Sequence, residues 1–255
     1  MDILLIISGF FIGALVGLTG VGGGSLMTPL LVMIFKVNPL IAIGTDLLYA
    51  SITKTAGVIA HNRLGNIDWK IVFKLLVASI PSCFFANIYL QGLNTNSPEV
   101  ISLIEVFLGL ALIITGLALL AQPVILKKIK FKFSEFNQTV LTLVLGIFLG
   151  ITVTLTSVGA GAIGVTALLF IYPNMDIRKI VGTDIAHAVP ITFFAGLGHY
   201  SLGHVDLLLL SSLLIGSIPG VWLGSLTSKK MKKERLRFIL FFIVTIIGFK
   251  FLLNI

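Results

Sequence analysis

A glycine-rich stretch near the start of the chain decides the fold, and it reads Thr19-Gly20-Val21-Gly22-Gly23-Gly24-Ser25. It lies inside an apolar run, Asp2–Lys36. As one helix this run would measure about 50 Å, well beyond a bilayer core of about 30 Å. Four glycines in five positions would destabilise a continuous helix. We therefore expect the run to break here into two helical pieces joined by irregular backbone.

The composition places the whole chain in a lipid bilayer. Of its 255 residues, 57% are hydrophobic and only 11% are charged, whereas soluble domains carry about 25% charged residues. The single cysteine, Cys83, excludes a disulfide scaffold. The first run lacks a basic start and a cleavage pattern, so we expect structure there and not a signal peptide. The apolar runs number eight: Asp2–Lys36, Leu40–Ala60, Trp69–Leu90, Glu99–Ala121, Asn137–Tyr172, Ile177–Gly198, Val205–Leu226 and Leu236–Leu253.

The fifth run, also too long for one crossing, contains a second break, Thr156-Ser157-Val158-Gly159-Ala160-Gly161. A shift of 137 residues aligns Phe11–Gly24 with Phe148–Gly161, and eight of these fourteen positions are identical. A shift of 138 then aligns Gly44-Thr45-Asp46 with Gly182-Thr183-Asp184. The chain is thus expected to contain two membrane repeats, residues 1–121 and 137–255, joined by a polar cytoplasmic linker, residues 122–136.

The positions of the basic residues predict the orientation, because short cytoplasmic loops are rich in Lys and Arg. The linker and the basic segment 229–237 are both expected in the cytoplasm. Between them lie the second broken run and two ordinary spans, so the broken run must cross an even number of times, as a hairpin. Both termini and the loop 91–99 are then outside. Fifteen of the eighteen Lys and Arg lie inside, and the exceptions are Lys36, Lys54 and Lys250.

One hairpin and three crossings make an odd number, so the second repeat is expected to insert upside down relative to the first. The predicted fold class is an all-α polytopic membrane protein with two inverted repeats. Each repeat is a glycine-broken helical hairpin followed by three transmembrane helices, giving six full spans and two hairpins. Many secondary transporters have inverted repeats with broken helices.

The two breaks are the expected substrate site, since irregular backbone within a bilayer needs protein or water around it. Free N–H groups and the positive end of a half-helix dipole favour an anion there. The alternative is that the glycines only allow the hairpin arms to pack closely. The expected binding residues of the two breaks are Thr19, Gly22, Gly23, Gly24, Ser25, Thr156, Ser157, Gly159 and Gly161.

Ionisable residues within the spans are further candidates, because a charge in a bilayer is costly and marks a functional site. Asp46 and Asp184 are expected either to couple transport to protons or to hold the hairpins by accepting backbone N–H groups. Lys54, whose repeat mate is the uncharged Thr192, is expected to contact the substrate or to pair with a carboxylate. His187 is either a third coupling group or a hydrogen-bonded interior histidine.

The segment Gly13–Pro29, together with the two Gly-Thr-Asp triplets at 44–46 and 182–184, resembles the sulfite exporter TauE/SafE family of membrane permeases. The resemblance extends over almost the whole chain. It implies a multi-pass plasma-membrane carrier of sulfur-containing anions such as sulfite or organosulfonates. The second break departs from the family pattern, since Ala160 stands where the first has Gly23.

We therefore expect a secondary transporter that moves a small sulfur anion by alternating access. It is not expected to be an enzyme, to use a cofactor or metal, or to bind nucleic acid, and the glycine stretch lacks the Lys-Ser/Thr of a P-loop. The expected partners are the anion, the lipid bilayer and protons as coupling ion, and a homo-oligomer stays open. The alternatives are a passive anion channel and, less favoured, a membrane-embedded redox enzyme, for which no cysteine pair or metal-spaced ligand cluster is visible.

Overall fold

The fold is given by a computed structural model that describes residues 3–19, 25–95, 97–128, 133–227 and 233–253. These residues form ten helices and no strand. The helices are α1 (Ile3–Thr19), α2 (Met27–Met33), α3 (Pro39–Arg63), α4 (Trp69–Gln91), α5 (Pro98–Lys128), α6 (Glu135–Thr156), α7 (Ala162–Ile171), α8 (Ile177–Ser201), α9 (Leu207–Thr227) and α10 (Lys233–Leu253).

Six of the described helices are long and apolar enough to cross a membrane, namely α4, α5, α6, α8, α9 and α10. The sequence also predicts six spans, but the membership differs. The run Leu40–Ala60, expected as an ordinary span, forms α3, which is 25 residues long but more polar than the other long helices. The reason is that α3 buries its polar side chains against neighbouring helices, Thr45, Asp46, Ser51 and Thr53 among them. Conversely, α6 was expected as a hairpin arm, and its 22 residues suffice for a crossing.

The outward surface of the bundle is apolar, as a lipid-facing surface must be. On α4, for example, the side chains of Phe73, Phe85 and Ile88 are 68%, 73% and 62% exposed. A soluble protein rarely leaves so many large apolar side chains in contact with solvent. The described helices therefore present large apolar side chains outward.

The second broken run forms a reversing pair of helices. It breaks between α6 and α7, as the glycines at 159 and 161 predict. The 10 residues of α7 span about 15 Å, half of a bilayer core. At its end, the Tyr172 hydroxyl shares a hydrogen bond of 2.8 Å with Thr142, which lies in the first half of α6. The chain thus returns toward the end of the bundle from which α6 starts.

The central helices α3 and α8 run antiparallel and make reciprocal contacts. The Thr45 hydroxyl near the start of α3 accepts the Asp206 N–H at 3.1 Å. In the other half, the Thr183 hydroxyl near the start of α8 accepts the Asp68 N–H at 2.9 Å. Both aspartates also cap the following helices, α9 and α4, through their side chains. Each half therefore anchors a helix start of the other.

Glycines let two further pairs of helices approach closely, α1 with α9 and α4 with α6. A Cβ at Gly13 would lie 2.5 Å from the Ser217 carbonyl oxygen, and one at Gly150 would lie 2.5 Å from that of Ser79. These four residues are two pairs of repeat mates. The sequence repeat is thus accompanied by equivalent small-residue contacts between helices.

The segment expected as a linker, residues 122–136, is partly helical. α5 continues to Lys128, and α6 begins at Glu135. Gln122 is 6% exposed, and its amide donates to the Thr166 hydroxyl of α7 at 3.1 Å. The first residues of this segment therefore belong to the packed bundle.

Candidate functional site

The charged residues expected within the membrane lie on the two central helices. α3 carries Asp46 and Lys54, and α8 carries Asp184 and His187. The two aspartates and the histidine are buried, whereas Lys54 is partly exposed. Lys54 lies within electrostatic range of the other three side chains. The antiparallel packing of α3 and α8 therefore gathers all four into one cluster, which we call the central cluster.

The second break contributes backbone groups to the central cluster. Gly159 and Gly161 have φ angles of 131° and 133°, which residues with a side chain rarely adopt. Ser157 is also left-handed, with φ at 58°. The Lys54 ammonium donates a hydrogen bond to the Ala160 carbonyl oxygen of this loop at 3.3 Å. The second break predicted from the sequence is thus in direct contact with the cation predicted within the membrane.

Two hydroxyls of the second break have different surroundings. Thr156 accepts the Val158 N–H at 3.1 Å and donates to the Thr152 carbonyl at 2.7 Å, so it stabilises the turn. The Ser157 hydroxyl is buried and interacts with the Asp46 carboxylate. Of these two predicted binding residues, Ser157 is therefore the one that belongs to the central cluster.

The first break can be placed only at its edges. Thr19 ends α1, and its side chain is outside the description. Ser25 is buried just before α2. α2 reaches the central cluster through Thr28, whose hydroxyl donates to Asp46 Oδ2 at 2.6 Å. The three glycines predicted to bind substrate lie outside the described residues: Gly22, Gly23 and Gly24.

The two aspartates are equivalent in the sequence repeat but differ in their surroundings. Asp46 interacts with both the hydroxyl and the backbone N–H of Thr28, which is the hairpin-holding role expected as an alternative. Neither carboxylate oxygen of Asp184 has a hydrogen-bond partner among the described residues. A shift of 137 aligns Thr28 with Val165, which has no hydroxyl, and a shift of 138 aligns it with Thr166, whose hydroxyl donates to the Ala162 carbonyl oxygen at 2.6 Å instead. Asp184 instead packs against Gly164 of α7, where no Cβ would fit.

His187 is held by a residue to which the sequence analysis assigned no role. Its Nε2 shares a hydrogen bond of 2.9 Å with the Ser79 hydroxyl of α4, and both side chains are fully buried. The repeat mates of this pair are Tyr49 and Ser217, which also interact. A repeat-aligned pair of polar residues was the signal that could have found Ser79. The finding fits the expectation of a hydrogen-bonded interior histidine.

Long apolar helices around a buried cluster of charged side chains define a multi-pass helical membrane protein. Among the described residues, no three His, Cys, Asp or Glu side chains converge in a way that could hold a metal ion. The model of one protein family, sulfite exporter TauE/SafE, matches residues 5–251. The chain therefore belongs to the sulfite exporter TauE/SafE family.

Curated relatives agree with this assignment. The probable membrane transporter protein YjnA of Bacillus subtilis is 39% identical over 254 residues, which cover 98% of this chain and 99% of the relative. YdhB, a second probable membrane transporter protein of that organism, is 27% identical over 245 residues, 96% and 98% of the two chains. A probable membrane transporter protein of Methanocaldococcus jannaschii is 26% identical over 266 residues, covering 98% and 95%. No solved structure matches the chain.

These similarities settle the general class. The chain is a membrane transporter of the TauE/SafE family and a multi-pass protein of the cell membrane. The relatives are named as transporters and not as enzymes, which agrees with the expectation drawn from the sequence.

Proposed function

We propose that the protein is a secondary transporter for a small sulfur-containing anion, such as sulfite or an organosulfonate, and that it works by alternating access. The observation that carries this proposal is the position of Lys54. A cation near the middle of a membrane helix meets the irregular backbone of a glycine break, 3.3 Å from the Ala160 carbonyl. Intramembrane charges of this kind mark substrate or ion pathways, and the family model is named for sulfite export.

The bound anion is placed between Lys54 and Ser157. The ammonium supplies positive charge, and the buried Ser157 hydroxyl, which also interacts with Asp46, supplies a hydrogen-bond donor. The N–H groups at the start of α7 lie in the same loop and add the positive end of a helix dipole. The corresponding part of the site from the first break, Gly22–Gly24, belongs to the proposal by analogy with the repeat.

In this proposal, alternating access results from movement of two inverted repeats relative to each other. The repeats are residues 1–121 and 137–255, joined by the linker 122–136. Helices that are repeat mates run antiparallel, which supports the inversion. The pair α3 and α8 is antiparallel. The pair α5 and α10 is antiparallel too, because Gly109 lies beside Gly248 and the later Gly116 lies beside the earlier Thr245. With the orientation that the basic residues favour, both termini lie on the extracellular side of the membrane in this proposal.

The charge of the central cluster supports coupling to protons. With both aspartates ionised, two carboxylates and one ammonium carry one net negative charge, which repels an incoming anion. One proton on a carboxylate makes the cluster neutral, so we place anion and proton in the site together. Asp184 is the better carrier, because Thr28 already holds Asp46 whereas no described donor holds Asp184.

The test is exchange of labelled sulfite by the purified protein in proteoliposomes. A carrier gives saturable uptake that unlabelled sulfite inside the vesicles accelerates. A passive channel, the remaining alternative, gives uptake that keeps rising with concentration and no acceleration. Absence of flux for sulfite, sulfate, thiosulfate and sulfonates would contradict the proposed substrate class.

A further inference from the structure

A cavity of about 770 Å³ is lined by none of the residues of the central cluster. It lies where the turn after α2 leads into α3, where α5 begins and where α10 ends. Its polar lining comes from three segments that are distant in sequence: Lys36, Asn38, Ser102, Glu105 and Lys250. We call it the Lys36–Lys250 cavity.

The charged side chains that line this cavity do not form ion pairs with one another. Among the described residues, the ion pair within 4.0 Å is that of Lys179 with Asp68, neither of which lines the cavity. In the part of the chain that the structure describes, Lys36 and Lys250 therefore have no ion-pair partner, and the described charged side chains that line the cavity are two lysines and one glutamate. Three lysines do not fit the positive-inside pattern, namely Lys36, Lys54 and Lys250. Two of them, Lys36 and Lys250, line this one cavity.

The backbone at Lys36 adds an independent observation. Its φ is 54°, in the left-handed region that glycine occupies without strain and other residues disfavour. The turns after α3 and α8 place glycines, Gly65 and Gly203, at their left-handed positions. A lysine in such a position points to a use for its side chain.

The equivalent turn in the other half provides a comparison. A cavity of about 420 Å³ lies at the turn between α7 and α8, lined by Asp176 and Lys179. Asp176 caps α8 as Asn38 caps α3. There, however, the lysine is paired with Asp68 at 3.4 Å. Within the part of the chain that the structure describes, lysines without an ion-pair partner thus line the Lys36–Lys250 cavity, whereas the lysine of the repeated turn is paired.

We propose that the Lys36–Lys250 cavity binds a tetrahedral or pyramidal oxyanion group, such as sulfate, sulfite or phosphate, between its two ammonium groups. Two sources have this chemistry, a free anion approaching the transporter and the phosphate of a lipid headgroup. The site is separate from Lys54 and stands whether or not the transport proposal holds.

The first experiment is calorimetric titration of the purified full chain in neutral detergent with sulfate, sulfite and phosphate. Lys36→Gly and Lys250→Gln should each weaken binding about fivefold, the effect of removing one unit charge near 4 Å in a water-like medium. Glu105→Gln should strengthen binding by a similar factor. Lys70→Gln, at an exposed lysine that begins α4, is the matched control and should change nothing. Lys36→Gly should also melt no lower than wild type, which excludes unfolding as the cause.

The second experiment identifies the source. The protein is extracted from phosphatidylglycerol vesicles, and native mass spectrometry counts the lipids that stay bound to it. The same count for protein extracted from phosphatidylcholine vesicles is the comparison. Loss of one retained phosphatidylglycerol in the Lys36→Gly/Lys250→Gln variant assigns the site to lipid. A change in free-anion binding alone assigns it to the soluble anion. If neither measurement responds to the lysines, or Glu105→Gln weakens binding, the proposal is wrong. Binding that persists in a Lys54→Met/Asp184→Asn variant separates this site from the transport site.

Discussion

The Lys54 ammonium donates a hydrogen bond to the Ala160 carbonyl oxygen across 3.3 Å. The contact joins α3 of the first half to the glycine break of the second. Asp46 and Asp184 lie within electrostatic range of the same ammonium. Lys54 therefore lies near two buried carboxylates and also donates to the irregular backbone of the second break.

We predict that Lys54→Met abolishes transport and lowers stability. The variant leaves two buried carboxylates without the cation near them, and removing one partner from a buried group of charges is destabilising. Thermal unfolding in detergent and sulfite exchange in proteoliposomes measure the two effects.

The double variant Lys54→Met/Asp184→Asn separates them. Removing the orphaned carboxylate should restore most of the lost stability without restoring exchange, since the cation for the anion is still absent. The non-additive recovery is the expected sign of a direct interaction. Recovery of exchange in the double variant would show that Lys54 serves only to balance Asp184.

Gly164→Ala should strongly reduce transport. An added Cβ at this position of α7 collides with the Asp184 carboxylate, so α7 or Asp184 must shift. Gly57→Ala is the matched control, because its Cβ would meet Ile185 at 3.5 Å, an ordinary contact, and alanine favours helix over glycine by about 1 kcal/mol. Equal exchange rates for both variants, at equal expression, would remove Asp184 from the site.

Asp184→Asn should make sulfite flux independent of the pH gradient while exchange at equal pH on both sides persists. The amide cannot take up or release the proton, yet it fills the same volume. Asp46→Asn should keep the response to pH, because Asp46 is engaged by Thr28. The measurement is uptake into proteoliposomes at a series of internal and external pH values.

His204 offers a control for this pH experiment, because it lies in the loop between α8 and α9. Burial lowers the pKa of its imidazole below the ordinary 6.5, so the ring stays neutral at and above that pH. His204→Asn should therefore leave the pH profile of transport unchanged. Wild-type flux that ignores the pH gradient altogether would rule out proton coupling at any of these residues.

Ser79→Ala should lower stability but keep pH-dependent transport. It leaves the Nε2 of buried His187 without its 2.9 Å partner, which costs about 1 to 3 kcal/mol. Ser211→Ala is the control, since that hydroxyl bonds within its own helix. If His187→Gln, tested alongside, abolished the pH dependence, His187 would replace Asp184 as the coupling group.

Much of the fold was predictable because membrane helices can be recognised in a sequence by the length and composition of their apolar segments. The glycines at 159 and 161 marked the break between α6 and α7, where both adopt positive φ. The repeat predicted that Asp46 and Asp184 occupy equivalent helix positions. Each of these features follows from local sequence and chain geometry.

Features that depend on contacts between distant helices were not predictable. The sequence did not predict that α3 is a central helix of the bundle, because only its packing shows that its polar side chains face inward. Asp46 and Asp184 looked alike, and only the placement of Thr28 beside one of them distinguishes the two. Ser79 could have been found only through its alignment with Ser217, since one serine in an apolar helix does not identify its partner.

Labelling of single cysteines tests the inverted arrangement on which the alternating-access proposal depends. Ser97→Cys lies before α5 and Glu234→Cys lies in the first turn of α10, and both sites are exposed or partly exposed. The native Cys83 is fully buried, so it stays unreactive toward a membrane-impermeant maleimide. In intact cells, the cysteine at 97 should react from outside, whereas that at 234 should react only after permeabilisation. Reaction of both from the same face would require an even number of crossings between them, so the second repeat could not be inverted.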